Sequence, residues 1–524
     1  MAQASDVLTE LSRTNRAEEG SSLNAPPSTE AGGRSGLLLE WKLLSRSAKF
    51  FAVRAAMVAS IGGLLFGYDI GVVEGALPQL REEMHLRREE ADMVVAIMVA
   101  GAVVGSVMAG SLADRLGRWV TIVLTDLIFI LGAIVLFVAR HPETVFLGRF
   151  IVGVAVAISA VADVSYLAEV APPSFRGAMV STNEFAIAVG MLTAFLAGEV
   201  FKNTHDGWRI MFGLSALFAI LQLVGMAFMP SSPRWLLSQG RHDEAKAVLT
   251  KIRSSPDEAD AELRLLEHYE PGADGNIRDL LTKWRMPLVI TSLLAFCQQL
   301  SGHSNVLNFN DDIFNKSGFH GPAPAVFLGV VKVFATVIAI LLVDRVGRRP
   351  FLLWGAVAAM SSVLLLSLSF AVSSPGLSFA ACCGLVAAYA VSFGPVTWLI
   401  TAEMFPAGIR GRALGIGQVC SFMGNLVASS FFLSLLHAAG GAATFFLFAA
   451  TIFIAIAFIF IFVPETKRKE PAQIAAEIPA CGCCPTYTEL ADDVSPAEEA
   501  QAEGPPGRSD RSVELGADGA NKWL

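Results

Sequence analysis

Asp114-Arg115-Leu116-Gly117-Arg118 returns as Asp344-Arg345-Val346-Gly347-Arg348, and the run EVAPPSFRG at 169–177 returns as EMFPAGIRG at 403–411. The offsets are 230 and 234 residues, the order is the same, and every copy sits between long apolar runs. Two polar motifs that repeat in order at nearly one spacing imply an internally duplicated chain of two like halves.

The composition places those halves in a membrane. Hydrophobic residues make up 53% of the 524 positions, only 16% are charged, and the mean hydropathy is +0.55. A soluble fold could not hide so much apolar surface. Most apolar runs are about 18 to 25 residues long, the length that crosses roughly 30 Å of hydrocarbon at about 1.5 Å per residue. The first half predicts spans over 53–79, 92–112, 120–139, 145–166, 179–199 and 208–229, and the second over 286–309, 323–343, 351–372, 379–401, 412–436 and 443–463. The expected class is therefore an all-α multi-pass membrane protein with about twelve transmembrane helices.

The polar stretches divide the chain further. A disordered tail is expected over 1–48, the first half over 49–229, a connector over 230–282, the second half over 283–465 and a disordered acidic tail over 466–524. Within the connector, ProArgTrpLeuLeu (233–237) and AspGluAlaLysAlaVal (243–248) read as short amphipathic helices. From Glu465 onward twelve acids stand against six bases, which accounts for most of the net charge of -8. Nothing at the N-terminus reads as a cleavable signal peptide, so the span near 53 is expected to direct insertion itself.

Lys and Arg in the short loops set the orientation. Arg115 with Arg118, Arg176, Arg345 with Arg348 and Arg349, Arg410 with Arg412, and Lys467-Arg468-Lys469 all fall on one side if twelve spans are counted. That side, with both termini, is expected to be cytosolic. The charged loop at 80–91 mixes its arginines with Glu82, Glu83, Glu89 and Glu90 and says less.

Seven cysteines show no disulfide spacing: Cys297, Cys382, Cys383 and Cys420 lie in spans, and Cys481, Cys483 and Cys484 cluster in the tail, where lipidation is one reading. One glycosylation sequon exists, Asn315-Lys316-Ser317, on the side expected to be extracellular. The chain has no nucleophile and base at workable spacing, no metal-ligand cluster and no phosphate-cradling glycine loop. Neither enzyme chemistry nor a metal, cofactor or nucleic-acid partner is expected.

A resemblance then enters through seven features. Gly62 to Gly71 (GGLLFGYDIG), the DRLGR and DRVGRR pair, Gly148-Arg149-Phe150 with GluValAlaPro at 169–172, Pro233-Arg234, Gln298-Gln299-Leu300-Ser301-Gly302, Gly394-Pro395 with Trp398, and Pro464-Glu465-Thr466-Lys467 together resemble the sugar-porter branch of the major facilitator superfamily. The match spans about residues 50 to 470. Glu184 and Lys332 make the chain most similar to class three of the facilitated glucose transporters, the tenth and twelfth members of the solute carrier two family. The resemblance implies the major facilitator fold, two six-helix halves, and transport of a hexose by alternating access, facilitative or proton-coupled, in the plasma membrane or an endomembrane. A related polyol, dehydroascorbate, or a sensor that binds sugar without moving it are the alternatives. With no nucleotide motif in the connector, transport is not expected to be driven by ATP.

The motifs carry this chemistry unequally. Asp114, Arg115, Arg118, Glu169 and Arg176 in one half, and Asp344, Arg345, Arg348, Arg349, Glu403 and Arg410 in the other, can form ion pairs between helix ends that hold one conformation and release another; or they only anchor the ends and set topology. Four charges stand out inside spans, where burial of an unpaired charge costs on the order of several kcal/mol: Asp69, Arg149, Glu184 and Lys332. In related proton-linked symporters a carboxylate at the position of Asp69 faces this arginine, so Asp69 and Arg149 are either a proton-coupling pair or a permanent structural one. Glu184 and Lys332 stand where the family has a fifth-helix Gln and an eighth-helix Asn, and either pair across a central cavity or act separately.

The resemblance also implies the sugar contacts. Gln298 and Gln299 on the seventh span, Trp398 on the tenth and Asn425 on the eleventh match by position; Ser304 replaces the family's Asn, with Asn305 beside it. Asn308 and Phe309 replace a gating Tyr pair, Ala390 a tenth-helix Glu, and Ser421 with Phe422 an Asn and a Trp. Gly394-Pro395 and the glycines around Gly67 are either hinges or packing positions.

Overall fold

The computed structural model describes residues 45–172, 175–269, 277–318, 324–467, 469 and 471–478. The tail at 1–44 and the cysteines at 481, 483 and 484 lie outside the described residues. The first half consists of α1 (Arg46–Glu83), α2 (Arg88–Leu116), α3 (Arg118–Phe137), α4 (Pro142–Val170), α5 (Arg176–Phe201) and α6 (Gly207–Met226). Four short helices follow: α7 (Pro233–Ser238), α8 (His242–Ile252), α9 (Pro256–Tyr269) and α10 (Ile277–Thr282).

The second half is less regular. Its first span is broken into α11 (Arg285–Gln299) and α12 (His303–Asn308), and α13 (Asn310–Ser317) lies beyond. Then come α14 (Pro324–Val346), α15 (Arg348–Ala371), the tenth span as α16 (Pro375–Val391) and α17 (Phe393–Glu403), the eleventh as α18 (Ala407–Ser430) and α19 (Phe432–Ala438), and α20 (Gly440–Phe462). Eleven helical stretches among the described residues are long and apolar enough to cross a membrane. The remaining expected span, 286–309, the seventh in order, is not one continuous helix, because Leu300 to Gly302 interrupt it, with Gly302 at φ +78°.

The duplication is visible in the packing. In the first half α1 packs on α5 and α6, α2 on α4, and α3 on α4 and α6; in the second α11 packs on α18 and α20, α14 on α16, and α15 on α16 and α20. These are the same pairs at the same places in each six-helix set. The halves meet along two seams, α2 against α18 and α5 against α14. Outward-facing apolar side chains such as Phe228, Phe334, Trp354 and Phe460 remain more than half exposed, the surface that lipid covers.

The repeated Gly in each Asp-Arg-x-Gly-Arg motif makes the turn between two long helices. Gly117 (φ 88°, ψ 153°) ends α2 and starts α3, and Gly347 (φ 102°, ψ 160°) does the same for α14 and α15. One residue reverses the chain in a conformation essentially reserved for glycine. The side chains of Asp344 and Arg345 lie outside the described residues.

Two expectations change here. The connector is helical where expected, at α7 and α8, and further, through α9 and α10. The tail after Glu465 was expected to be disordered, yet Pro471–Glu477 forms α21, and Ile474, Ala475 and Ile478 are buried among Trp284, Phe405 and Ile459. An acidic overall composition hid a short apolar stripe long enough to dock. The glycines of α1 also settle as packing positions, since a Cβ at Gly67 would lie 1.9 Å from Ile187 O and one at Gly75 2.5 Å from Gly198 Cα. Spaced four apart, Gly63, Gly67, Gly71 and Gly75 let α1 and α5 approach backbone to backbone.

Gly67→Ala should therefore lower the melting temperature of the detergent-purified protein by several degrees, an overpacking penalty of about 1–3 kcal/mol. Gly110→Ala, where a Cβ meets nothing within 4 Å, should melt like the unmodified protein. Equal melting of the two variants would mean that the α1–α5 seam yields freely.

Candidate functional site

The break after Gln299 puts polar side chains of α11 and α12 where α16, α17 and α18 converge. Gln298 is 1% exposed, and its Nε2 donates to Tyr389 Oη at 3.0 Å and to Phe393 O at 2.8 Å, while its Oε1 has no donor. Gln299 Nε2 donates to Ser421 Oγ at 3.0 Å, and its Oε1 accepts from Ser304 Oγ at 3.1 Å and Asn425 Nδ2 at 3.4 Å. Ser429 Oγ lies within hydrogen-bond reach of both Asn425 Oδ1 (2.9 Å) and Asn305 Oδ1 (3.1 Å), and Asn305 Nδ2 reaches Ala428 O at 3.2 Å. The structure thus joins Gln299, Ser304, Asn305 and Asn425, all expected at the site, into one chain of neutral amides and hydroxyls. Trp398 is half-buried on α17, its Cζ3 3.7 Å from a Cβ built at Gly417 of α18.

Two residues not expected at the site belong to it. His303 stacks on Tyr389 with centroids 3.6 Å apart and planes 4° from parallel, and neither ring nitrogen has a hydrogen-bond partner although the side chain is buried. Its position directly after Gln-Gln-Leu-Ser-Gly was the available signal. Tyr389 stands next to Ala390, the position at which the resemblance registered only a lost Glu.

Glu184 on α5 and Lys332 on α14 face each other across one of the two seams. Among the described residues no ion pair joins them; Lys332 Nζ lies 3.4 Å from Met191 Sδ.

Asp69 and Arg149 come together, but not as a contact ion pair. Arg149, fully buried, donates through Nη1 to the backbone O of Asp69 at 3.1 Å, through Nε to Val94 O at 3.4 Å and through Nη2 to Met98 Sδ at 2.9 Å, and lies over the Phe212 ring. The Asp69 carboxylate is 1% exposed and neither oxygen has a donor. In this conformation the guanidinium lies on the backbone carbonyl of Asp69 rather than on its carboxylate.

At the charged end both halves build one constellation. Arg118 pairs with Glu169 at 3.0 Å and with Asp114 at 3.1 Å, and Ser232 Oγ donates to Glu169. Arg348 clasps Glu403 with Nη2 at 2.8 Å and Nε at 3.1 and 3.2 Å, and Thr466 Oγ1 donates to Glu403. Ser232 and Thr466 are 234 residues apart, the spacing of the two glutamates, and were not singled out as gate residues. Glu465 adds a cap in the second half, accepting from the backbone N of Arg348 (2.9 Å) and Arg349 (3.1 Å). Burial alone would raise its carboxyl, but the backbone N–H groups of Arg348, Lys467, Arg349 and Thr466 hold it below the usual range. Arg115 and Arg176 are exposed, and Arg410 donates to Phe405 O at 3.3 Å.

Residues 55–477 match the family described as "Sugar (and other) transporter". Glucose transporter GlcP of Staphylococcus epidermidis is 33% identical over 430 residues, 80% of this chain and 96% of that one. Solute carrier family 2, facilitated glucose transporter member 12 of Xenopus laevis is 29% identical, over 82% of this chain and 90% of that one. Among solved structures, the proton:xylose symporter XylE of E. coli bound to 6-bromo-6-deoxy-D-glucose superposes with a TM-score of 0.73 at 27% identity, covering 81% of this chain and 98% of that one. The chain belongs to the sugar transporter family of the major facilitator superfamily.

Asn305 is fully buried and committed to Ala428 O and Ser429 Oγ, so Asn305→Ala should destabilise the purified protein by about 1–3 kcal/mol, the penalty for buried groups left without partners. Thermal unfolding reads this directly. Unchanged melting would remove Asn305 from the network.

Proposed function

We propose that the chain carries a hexose-like sugar across a membrane by alternating access, and that the Asp69 carboxylate couples a proton to the movement. The observation that carries the coupling is the buried Asp69 carboxylate left without a donor while Arg149 is held by backbone carbonyls and Met98. An anion so placed is penalised by hydrocarbon, and it is relieved either by a proton or by the guanidinium. The two arrangements exclude each other at the carboxylate, so a helix movement that brings Arg149 onto Asp69 expels the proton, and one that withdraws it admits a proton again. The family's proton-linked member XylE supports this reading.

Sugar binding is assigned to Gln298, Gln299, Ser304, Asn305, Asn425 and Trp398, with Glu184 and Lys332 at its edge on the first-half side. The free Oε1 of Gln298 and the half-buried Trp398 offer a hydroxyl acceptor and an apolar platform for C–H groups. Asn305 and Ser429 hold the others in place. The Arg118–Glu169 and Arg348–Glu403 clusters act as the latch that closes the cytosolic side, both termini lie on that side, and the resident membrane is the plasma membrane or an endomembrane. The likeness to member 12, with Glu184 and Lys332, supports placement nearest class three of the facilitated glucose transporters.

In proteoliposomes an inward proton gradient should drive accumulation of labelled hexose, and Asp69→Asn should keep downhill exchange while abolishing accumulation. If unmodified protein only equalises sugar concentrations whatever the pH difference, the protein is a facilitator and Asp69 has another role. In the same vesicles Gln298→Ala and Trp398→Ala should each reduce uptake about 5- to 150-fold at normal expression, as loss of about 1–3 kcal/mol of contact requires. Normal uptake by both would take these residues out of the site.

A further inference from the structure

We propose that the first turns of α1 bind one anionic glycerophospholipid, with its phosphate on Arg54 and the further negative charge of its headgroup toward Arg46. The residues form one stripe. Arg46, Phe50, Val53, Arg54 and Met57 recur at intervals of three and four along a single helix, which sets them on one side of it. Phe50 is 68% exposed, Val53 44% and Met57 62%, so this side of α1 is left to lipid.

The neighbours fix the depth of the stripe. Phe51, Ala52 and Ala55 of α1 pack in one cluster with Tyr166, Met226 and Met229, near the ends of α4 and α6. Tyr166 Oη donates to Pro230 O at 2.9 Å and Trp119 Nε1 to Met226 O at 2.8 Å, where the chain leaves α6 for the connector. Aromatic side chains with one polar end collect at the level of the lipid headgroups, and Arg54 lies in that layer.

Arg54 is the residue that needs a partner. Its Nε is buried without an acceptor, and among the described residues no hydrogen bond or ion pair takes its guanidinium. The group lies over the rings of Phe50 and Phe51, 5.6 and 5.9 Å from their centroids. A ring face steadies a cation but does not replace the oxygen acceptors that a guanidinium's N–H groups call for. The helix itself offers no acid, since α1 carries three bases and no carboxylate between Arg46 and Tyr68. Glu169, Glu262 and Asp260, which α4 and α9 bring to this end, are engaged by Arg118, Arg253 and Lys246.

A phosphodiester supplies what is missing. Its two free oxygens match the planar fork of a guanidinium, and it lies in the layer that Arg54 occupies. Arg46 is exposed and stands eight residues earlier, about 12 Å along the helix at about 1.5 Å per residue. Its second positive charge favours a lipid of net negative charge over a zwitterionic one. A free anion fits less well, because it would leave Phe50 and Met57 uncovered beside the guanidinium, whereas an acyl chain covers them.

The full-length protein, extracted from bilayers of phosphatidylcholine and phosphatidylserine, should retain phosphatidylserine in native mass spectra, and Arg54→Gln should cut the retained fraction several-fold. Arg115→Gln removes one exposed positive charge from the same end but off the stripe, and should retain as much as the unmodified protein. In detergent, added phosphatidylserine should raise the melting temperature of the unmodified protein by several degrees and that of Arg54→Gln hardly at all, while inorganic phosphate raises neither. Should Arg54→Gln fail to fold, Arg46→Gln, at an exposed position, carries the test through a partial loss of retained phosphatidylserine, and full retention there overturns the proposal. Equal retention by Arg54→Gln and the unmodified protein also overturns it. So does an equal loss in Arg115→Gln, which would mean diffuse attraction without a site, and so does stabilisation by inorganic phosphate that Arg54→Gln abolishes, which would make this a site for free anions. No sugar is moved in these measurements and lipid reaches both ends of the protein, so their outcome is independent of the transport reading and of the orientation of the chain.

Discussion

Hydrocarbon offers no hydrogen bonds, so each polar side chain set into these spans is either met by another or left waiting for something that moves. Most are met. Arg149 is taken up by two carbonyls and a sulfur, Gln299 by Ser421, Ser304 and Asn425, and Asn305 by Ala428 and Ser429. Others are not, among them the carboxylate of Asp69, one oxygen of Asp126, the amide oxygens of Gln298, Gln222, Asn183, Asn308 and Asn310, the hydroxyls of Ser301 and Thr397, and the ring nitrogens of His303. A sugar hydroxyl can satisfy those near α11 and α12, and a proton the carboxylate of Asp69. The unmet carboxyl oxygens of Asp69 and Asp126 lie in the first half, and the unmet groups around α11 and α12 in the second.

The charged end makes that division mechanical. In each half one glutamate takes both an arginine from the start of the third or ninth span and a hydroxyl from the chain leaving the sixth or twelfth. A carboxylate shared in this way ties three segments at one point, so releasing it frees three segments together, which is what a two-state gate requires. The halves are not identical. Arg348 holds Glu403 with two nitrogens and Glu465 caps the backbone behind it, whereas Arg118 divides itself between Glu169 and Asp114. The second-half cluster is the more rigid of the two by that geometry.

What was legible in the sequence follows from how each signal is encoded. Span length, loop charge and duplication are properties of contiguous residues, and the helices fall where the apolar runs placed them. The interruption at Leu300 to Gly302 was not legible as a break, because Gly302 needs its positive φ only once α12 packs beneath Phe448. Gln298, Gln299 and Asn425 were found through their motif, yet the roles of Tyr389 and His303 depend on contacts between α12 and α16 that no local pattern records. The docking of α21 shows the converse error, where the acidic composition of a whole tail concealed three apolar residues.

Glu184 and Lys332 remain the pair that most separates this chain from a neutral sugar site. An acid and a base on opposite halves cancel each other's burial only while the seam between α5 and α14 holds them near, and among the described residues no ion pair joins them here. A neutral amide pair in their place would bind sugar equally well in every state of the cycle. A charged pair would not, because separating the halves leaves two ions to be solvated and closing them around a hydroxyl-rich solute supplies that solvation. If Glu184 and Lys332 line the cavity as proposed, the solute's own hydroxyls would supply that solvation, and the two charges would favour closure only when the cavity is filled.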